Sequence, residues 1–155
     1  MRRFGLTELA QMAEVVSAVA VVVSLIYVGN ELARNTAAVR GASMQAVFTA
    51  SANTLLSIAA DSSLARIRQV GDQDASLLAE SDAYRYRAFT RQNWLSLQNV
   101  YLQNELGLVD PRVWAGYARI VCAVWANPGI KLTWPDHRPV LDAGFATLVE
   151  TCATP

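Results

Sequence analysis

The sequence predicts an all-α protein: an amino-terminal transmembrane helix continues into a long helix, and a small helical bundle comes after it. Three observations predict it. The segment from Val15 to Asn30, VVSAVAVVVSLIYVGN, carries no charge. No proline precedes Pro111, so nothing ahead of that point breaks a helix. Beyond the apolar segment, hydrophobic residues recur at steps of three and four, the period of a helix, and strand-and-turn signals are missing.

The apolar segment is the strongest of these signals. A bilayer core of about 30 Å needs roughly 20 helical residues, so the charge-free stretch is slightly short. Extended back to Leu9 it is long enough and contains one acid, Glu14. A carboxylate near the end of a span can reach the headgroups, and Gln11 and Glu8 place the interface there. At the other end Tyr27 suits the aromatic belt, and Glu31 and Arg34 return the helix to water. The competing reading is a buried central helix of a soluble bundle, which would also be apolar all round. A cleaved signal peptide, with Arg2 and Arg3 before the apolar run and Ala18-Val19-Ala20 at the cut, fits less well. Glu14 would then fall inside its hydrophobic region, with Val21 to Val28 beyond the cut.

Ala10, Ala13, Ser17, Ala20 and Ser24 fall on one stripe of this helix and carry only small side chains. In lipid, close approach along such a stripe drives helix association, so these residues are the expected packing interface. Arg2 and Arg3 on one side are matched by Arg34 and Arg40 on the other, which leaves the orientation open. Residues 1–30 are thus expected to form the apolar helix and residues 31–155 the helical domain.

Within that domain, Met44, Val47, Phe48, Ser51, Leu55 and Ile58 form an apolar face, with Gly41 a weak point before them. Asp61 is expected to cap a short helix over LARIRQV, and Gly71 to end it. A third helix should run from Ala75 or Ser81 to Glu105 and stop at Gly107. Its broad apolar side holds Leu78, Tyr86, Phe89, Trp94, Leu97, Val100 and Tyr101. A second side holds Tyr84, Ala88, Leu95, Leu102 and Leu106, so it is expected to touch neighbours on both. Asp110-Pro111 reads as an N-cap and first helical residue of a fourth helix ending near Ala126, whose Trp114, Tyr117, Val121, Val124 and Trp125 face a partner. Asn127-Pro128 repeats that punctuation, Pro135 and Pro139 shorten or kink the segment after it, and a last helix covers Leu141 to Thr151.

Composition narrows the function. Hydrophobic residues make up 53% of the 155 and charged residues 17%, which excludes intrinsic disorder. The mean hydropathy of +0.22 is high for a small water-soluble domain. Thirteen basic side chains balance 13 acidic ones, so no bulk field favours nucleic acid. Lys131 is the only lysine, a bias toward arginine that a GC-rich genome explains as easily as function does. Cys122 and Cys152 lack metal or redox spacing, though a single bridge in an oxidising compartment stays open.

Chemistry-bearing patterns are sparse. His137, the one histidine, sits in WPDHRP beside Asp136 and near Asp142, which invites a general-base reading. Sequence neighbours rarely face one another, no nucleophile elbow accompanies it, and a solvated or capping loop is the simpler expectation. No paired ligands suggest a metal, and no glycine-rich loop suggests a nucleotide cofactor, so none is expected. Arg85, Arg87 and Arg91, interleaved with Tyr84 and Tyr86, could contact an anion or partner; pairing with Glu80, Asp82 or carboxylates of other helices is the plainer reading. Trp94, Trp114, Trp125 and Trp134 are expected mostly in the core.

The stretch SLIYVGNELARNTAAVRGASMQAV, with LVDPRVWAGY and WANPGIKLTW later, resembles a group of uncharacterised bacterial proteins. In that group one amino-terminal membrane helix precedes a small helical domain. The resemblance implies architecture only, and no activity, cofactor or catalytic residue; the expected location is the bacterial inner membrane, with a single span. The sequence departs from that pattern at Pro135, which interrupts the region after Trp134. The expected function is a non-enzymatic accessory or scaffold subunit, contacting membrane lipid and either a second copy or a membrane complex. The alternatives are a small-molecule or stress sensor with an aromatic-lined pocket anchored by Arg85, Arg91 or His137, and a hydrolase centred on His137.

Overall fold

The computed structural model describes residues 6–152, with side chains from Ala10 onward; Arg2 and Arg3 lie outside it. The described residues form six α-helices, two single-turn 3-10 segments and no strand, so the protein is all-α. The chain divides into two compact units, Met1–Gly41 and Ala42–Pro155.

Helix α1 spans Leu6–Ala60 without interruption. Gly41 does not break it, because a lone glycine costs only about 1 kcal/mol against alanine and the residues around it are good helix formers. In the first unit, every side chain from Ala10 to Gly41 is exposed. In the second, the same helix turns Val47 into the core, with Met44, Ser51, Thr54 and Ile58 partly covered. The expected face is therefore rotated: Phe48 and Leu55 point outward, 51% and 68% exposed. A stripe of 47, 51, 54 and 58 fits the helical period as well as the one read from sequence, and polar Thr54 concealed it.

Asp61 ends α1 and caps α2, Ser62–Gln73, accepting from the N–H groups of Ser63 and Leu64 at 2.9 and 3.1 Å. Such a cap is worth about 1 kcal/mol. Gly71 does not end α2. It is buried inside it, and Asp74 forms the C-cap and then caps the 3-10 turn Ala75–Leu77. Helix α3 covers Glu80–Glu105, and Gly107, at φ 68°, makes the left-handed turn that leads away from it. Asp110 caps α4, Pro111–Trp125, with Pro111 in its first turn as its spacing predicts. Helices α5, Pro128–His137, and α6, Ala143–Thr151, complete the domain, with the 3-10 turn Arg138–Val140 between them.

Pro135 lies inside α5 without ending it. Its ring is on the exposed side, while Ile130, Thr133, Trp134 and His137 share the buried side. Trp134 links the aromatic core, meeting Trp94 and Trp125 edge to face at 5.3 and 5.2 Å; Phe145 of α6 stands 6.1 Å from Trp94. Trp94, Trp125 and Trp134 are core residues as expected, and Trp114 packs at the margin against Tyr101. Cys122 of α4 and Cys152, just past α6, form a disulfide across a sequence separation of 30. A loop of that length gives a stabilisation of about 3–4 kcal/mol in the chain-entropy account.

Helices α2 and α5 cross with their backbones touching. A Cβ on Gly129 would fall within the carbonyl oxygen of Gly71, and one on Gly71 would stand 2.5 Å from the Tyr86 ring. Gly129→Ala should lower the unfolding free energy by more than about 3 kcal/mol, because the obstacle is backbone and cannot move aside. Gly116 in α4 has open space around its Cα, and Gly116→Ala should be neutral or stabilising by up to about 1 kcal/mol. Denaturant unfolding of both variants, monitored by circular dichroism, checks the contrast.

Candidate functional site

Three features carry functional potential: the exposed surface of the first unit, the polar groups around α3, and a cavity in the second unit. On α1, Ala10, Ala13, Ser17, Ala20 and Ser24 are all exposed and fall on one stripe. The Ser24 hydroxyl donates to the Ala20 carbonyl at 2.8 Å, so it is satisfied within the helix and leaves the stripe flat. Around the stripe Val16, Val19, Val23, Leu25 and Tyr27 stand more than half exposed. The helix is long and apolar enough to cross a membrane.

The arginines of α3 do not converge on one patch. Arg85 reaches the α1–α2 corner, donating to Asp61 Oδ2 at 2.8 Å and Ser63 Oγ at 2.9 Å. Arg87 and Arg91 turn toward the end of α5. Arg87 lies 3.5 Å from the Asp136 carboxylate, and Arg91 donates to the Asp136 carbonyl at 3.3 Å. Their carboxylate partners come from other elements; Asp82, a sequence candidate, holds Arg66 instead at 2.6 Å. The Ser63 hydroxyl and the Leu64 N–H lead in holding the Asp61 carboxyl below its ordinary range, and Arg85 adds to them.

His137 is not a solvated loop residue: it is 1% exposed in the last turn of α5. Its Nε2 lies 3.0 Å from Thr90 Oγ1, which also lies 3.1 Å from the Arg87 carbonyl. The Thr90–His137 hydrogen bond ties α3 to α5, and its direction follows the tautomer of the imidazole. The other ring nitrogen, Nδ1, is buried and has no hydrogen-bond partner among the described residues. Asp136, the neighbour that suggested a general base, pairs with Arg87 and not with the imidazole. A spacing signal for burial was present, since 130, 133, 134 and 137 fit the helical period, but Pro135 read as a breaker hid it.

The cavity, of about 160 Å³, lies between the second-unit part of α1, α3 and α4. Val47, Leu97 and Val100 floor it, Asn93, Ser96 and Asn99 edge it from α3, and Ser51 and Tyr117 share a 2.6 Å hydrogen bond in its wall. The tryptophan- and arginine-lined pocket suggested by composition is not formed there: Tyr117 is the one aromatic in its lining, and Arg85, Arg91 and His137 lie elsewhere. Its lining is neutral, so it suits an uncharged ligand over an anion. Among the described residues no cluster of three or more potential metal ligands occurs.

No family model matches the chain, and no curated protein or solved structure does either.

Burial first, then Arg91, lower the His137 pKa below 6.5; Asp136 opposes them, and Arg87 adds a smaller lowering. The unfolded imidazole takes a proton near 6.5 and the native one resists it. The native advantage is thus complete above pH 6.5 and is lost as pH falls below it, toward the depressed native value. The thermal midpoint should fall between about pH 7.5 and about pH 5, and His137→Gln should flatten that slope. Melting curves across this range check it, because the capping carboxylates Asp61 and Asp110, and Glu150 bonded to Arg138 and Trp134, have pKa values lowered from 3.8 or 4.5 and stay ionised throughout.

Proposed function

We propose that the chain is a single-pass, membrane-anchored, non-enzymatic accessory or scaffold subunit of a bacterial inner membrane. Its disulfide-bonded helical domain stands on the oxidising side. The observation that carries the anchor is the exposure of Val15 to Val28 on every side of α1. Burying one such side chain is worth about 1.5–3 kcal/mol, so a continuous sleeve of them in water is not sustained and lipid is the cover that fits its length.

The disulfide supports an orientation where the charge count is tied. Structural disulfides persist in oxidising compartments and are rare in the cytosol, which favours Cys122 and Cys152 outside and the residues before α1 inside. The small-residue stripe of Ala10, Ala13, Ser17, Ala20 and Ser24 then serves close packing in the bilayer, against a second copy or a membrane complex. The scaffold reading draws on where the ionisable groups go. Asp61, Asp72, Asp82, Asp110, Asp136 and Glu150 each hold an arginine, and their charge is used in tying helices together or closing turns.

A second reading, a sensor of a small neutral molecule, is favoured by one observation, the polar-edged cavity beside Ser51 and Tyr117. It is compatible with the same anchor.

Membrane fractionation with alkaline carbonate and then detergent tests the anchor. The protein should stay in the pellet until detergent is added, and release by carbonate would make α1 an oligomer interface in water. Alkylation of intact cells before lysis tests the side. Cys122 and Cys152 should remain unmodified until a reductant is added, whereas full labelling without reductant would put the domain in the cytosol.

A further inference from the structure

Helix α3 packs on one side only. Tyr86, Thr90, Trp94 and Leu97 are buried against the core. The opposite side carries Tyr84, Ala88, Leu95, Leu102 and Leu106, with Arg91 toward the Arg87 edge, and among the described residues of the second unit no element covers it. Tyr84 and Leu106, at its ends, are 75% and 73% exposed, and Leu95 and Leu102 are each 40% exposed.

This stripe reads alike from either end. Tyr84 and Leu106 stand 11 residues either side of Leu95 (95 − 84 and 106 − 95), and Ala88 and Leu102 stand seven either side. A second α3 laid antiparallel on the first therefore sets Leu95 against Leu95, Tyr84 against Leu106, and the small Ala88 opposite the large Leu102.

The charges select the same direction. Arg87 and Glu105 are 18 residues apart (105 − 87), or five turns, and so occupy one edge of the stripe. Antiparallel pairing brings like edges together, which sets Arg87 of each copy beside Glu105 of the other. Glu105 is exposed and is in none of the ion pairs among the described residues, and Arg87 holds Asp136 only at 3.5 Å with both more than half exposed. A parallel pair would set that edge against the other one, which bears Arg85, Gln92 and Gln103. Arg87 would face a cation and Glu105 would gain none.

We propose that the exposed face of α3 is a self-association surface, and that its occupant is the antiparallel α3 of a second copy of this chain. The apolar stripe supplies contact area, and the two symmetric Arg87–Glu105 pairs set direction and register. The surface belongs to the second unit alone and stands whether or not α1 lies in lipid.

Variants of the full chain that each carry one added cysteine, with the Cys122–Cys152 bridge left intact, oxidised in mild detergent and run without reductant, test it. Leu95→Cys should form a covalent dimer, and Tyr84→Cys should join Leu106→Cys when the two are mixed but not itself. Glu105→Arg should weaken the dimer about tenfold by sedimentation, and adding Arg87→Glu should restore it. Tyr84→Cys chains joining one another, or Leu95→Cys remaining monomeric with native helix content, would overturn the proposal. So would self-association indifferent to Glu105→Arg, or an occupant of this face other than a second copy. None of these outcomes bears on carbonate extraction, so the two readings fail separately.

Discussion

In the helical domain the carbonyl of Gly71 rests directly against the α-carbon of Gly129, and this contact sets how closely α2 and α5 can approach. Neither helix could come so near with a side chain at the crossing. Tyr86 lies flat against Gly71 and donates its hydroxyl to Asp72 at 2.9 Å, while Arg68 grips the other oxygen of that carboxylate and covers the Phe89 ring. Burial and the Asp72 charge raise the Tyr86 phenol far above its ordinary range, so it remains a donor. Held at that distance, α5 offers Ile130, Thr133, Trp134 and His137 to the rest of the core as one face. The Trp94–Trp134–Trp125 chain and the Thr90–His137 bond depend on where that face is placed.

Local signals in the sequence carried much of this. Asp61 and Asp110 announce helix starts, and each accepts the backbone hydrogen bonds of a cap; Asp142, expected inside the last helix, instead caps it and starts it at Ala143. Gly107 announces the end of α3 and takes the left-handed conformation that a stop requires. The concealed part was tertiary. Gly71 has the local credentials of a terminator, and only its crossing with Gly129 explains a glycine in the middle of a buried turn. Pro135 has the credentials of a breaker, yet near the carboxyl end of a short helix it forfeits little and its ring stays outside. His137 was misplaced as a result of that reading. The outer stripe of α3 was legible as a pattern, but a pattern states that a face wants cover, not that its own chain provides it.

The candidate site was legible to different degrees. The small residues of α1 are where their spacing puts them, on one stripe, because nothing but helix geometry determines it. The arginines of α3 could not be resolved by spacing. Successive odd-numbered positions turn by about 200°, so Arg85 and Arg87 leave the helix on different sides and reach different carboxylates. The charges of this domain serve mainly to join elements, with Arg85 bridging the α1–α2 corner to α3 and Arg138 tying the α5–α6 connection to Glu150. Surface pairs of this kind add little to stability individually, and their effect is on register and helix placement.

The bridge between Cys122 and Cys152 encloses all of α5, the 3-10 turn after it and α6 within one covalent ring. A protease that cut the exposed Arg138–Val140 turn would therefore release nothing. The severed carboxyl-terminal piece would remain tethered through sulfur beside the surface it had occupied, at an effective concentration high enough to re-dock. Wherever a protease meets this turn, the ring makes a broken backbone a nick that leaves the domain in place.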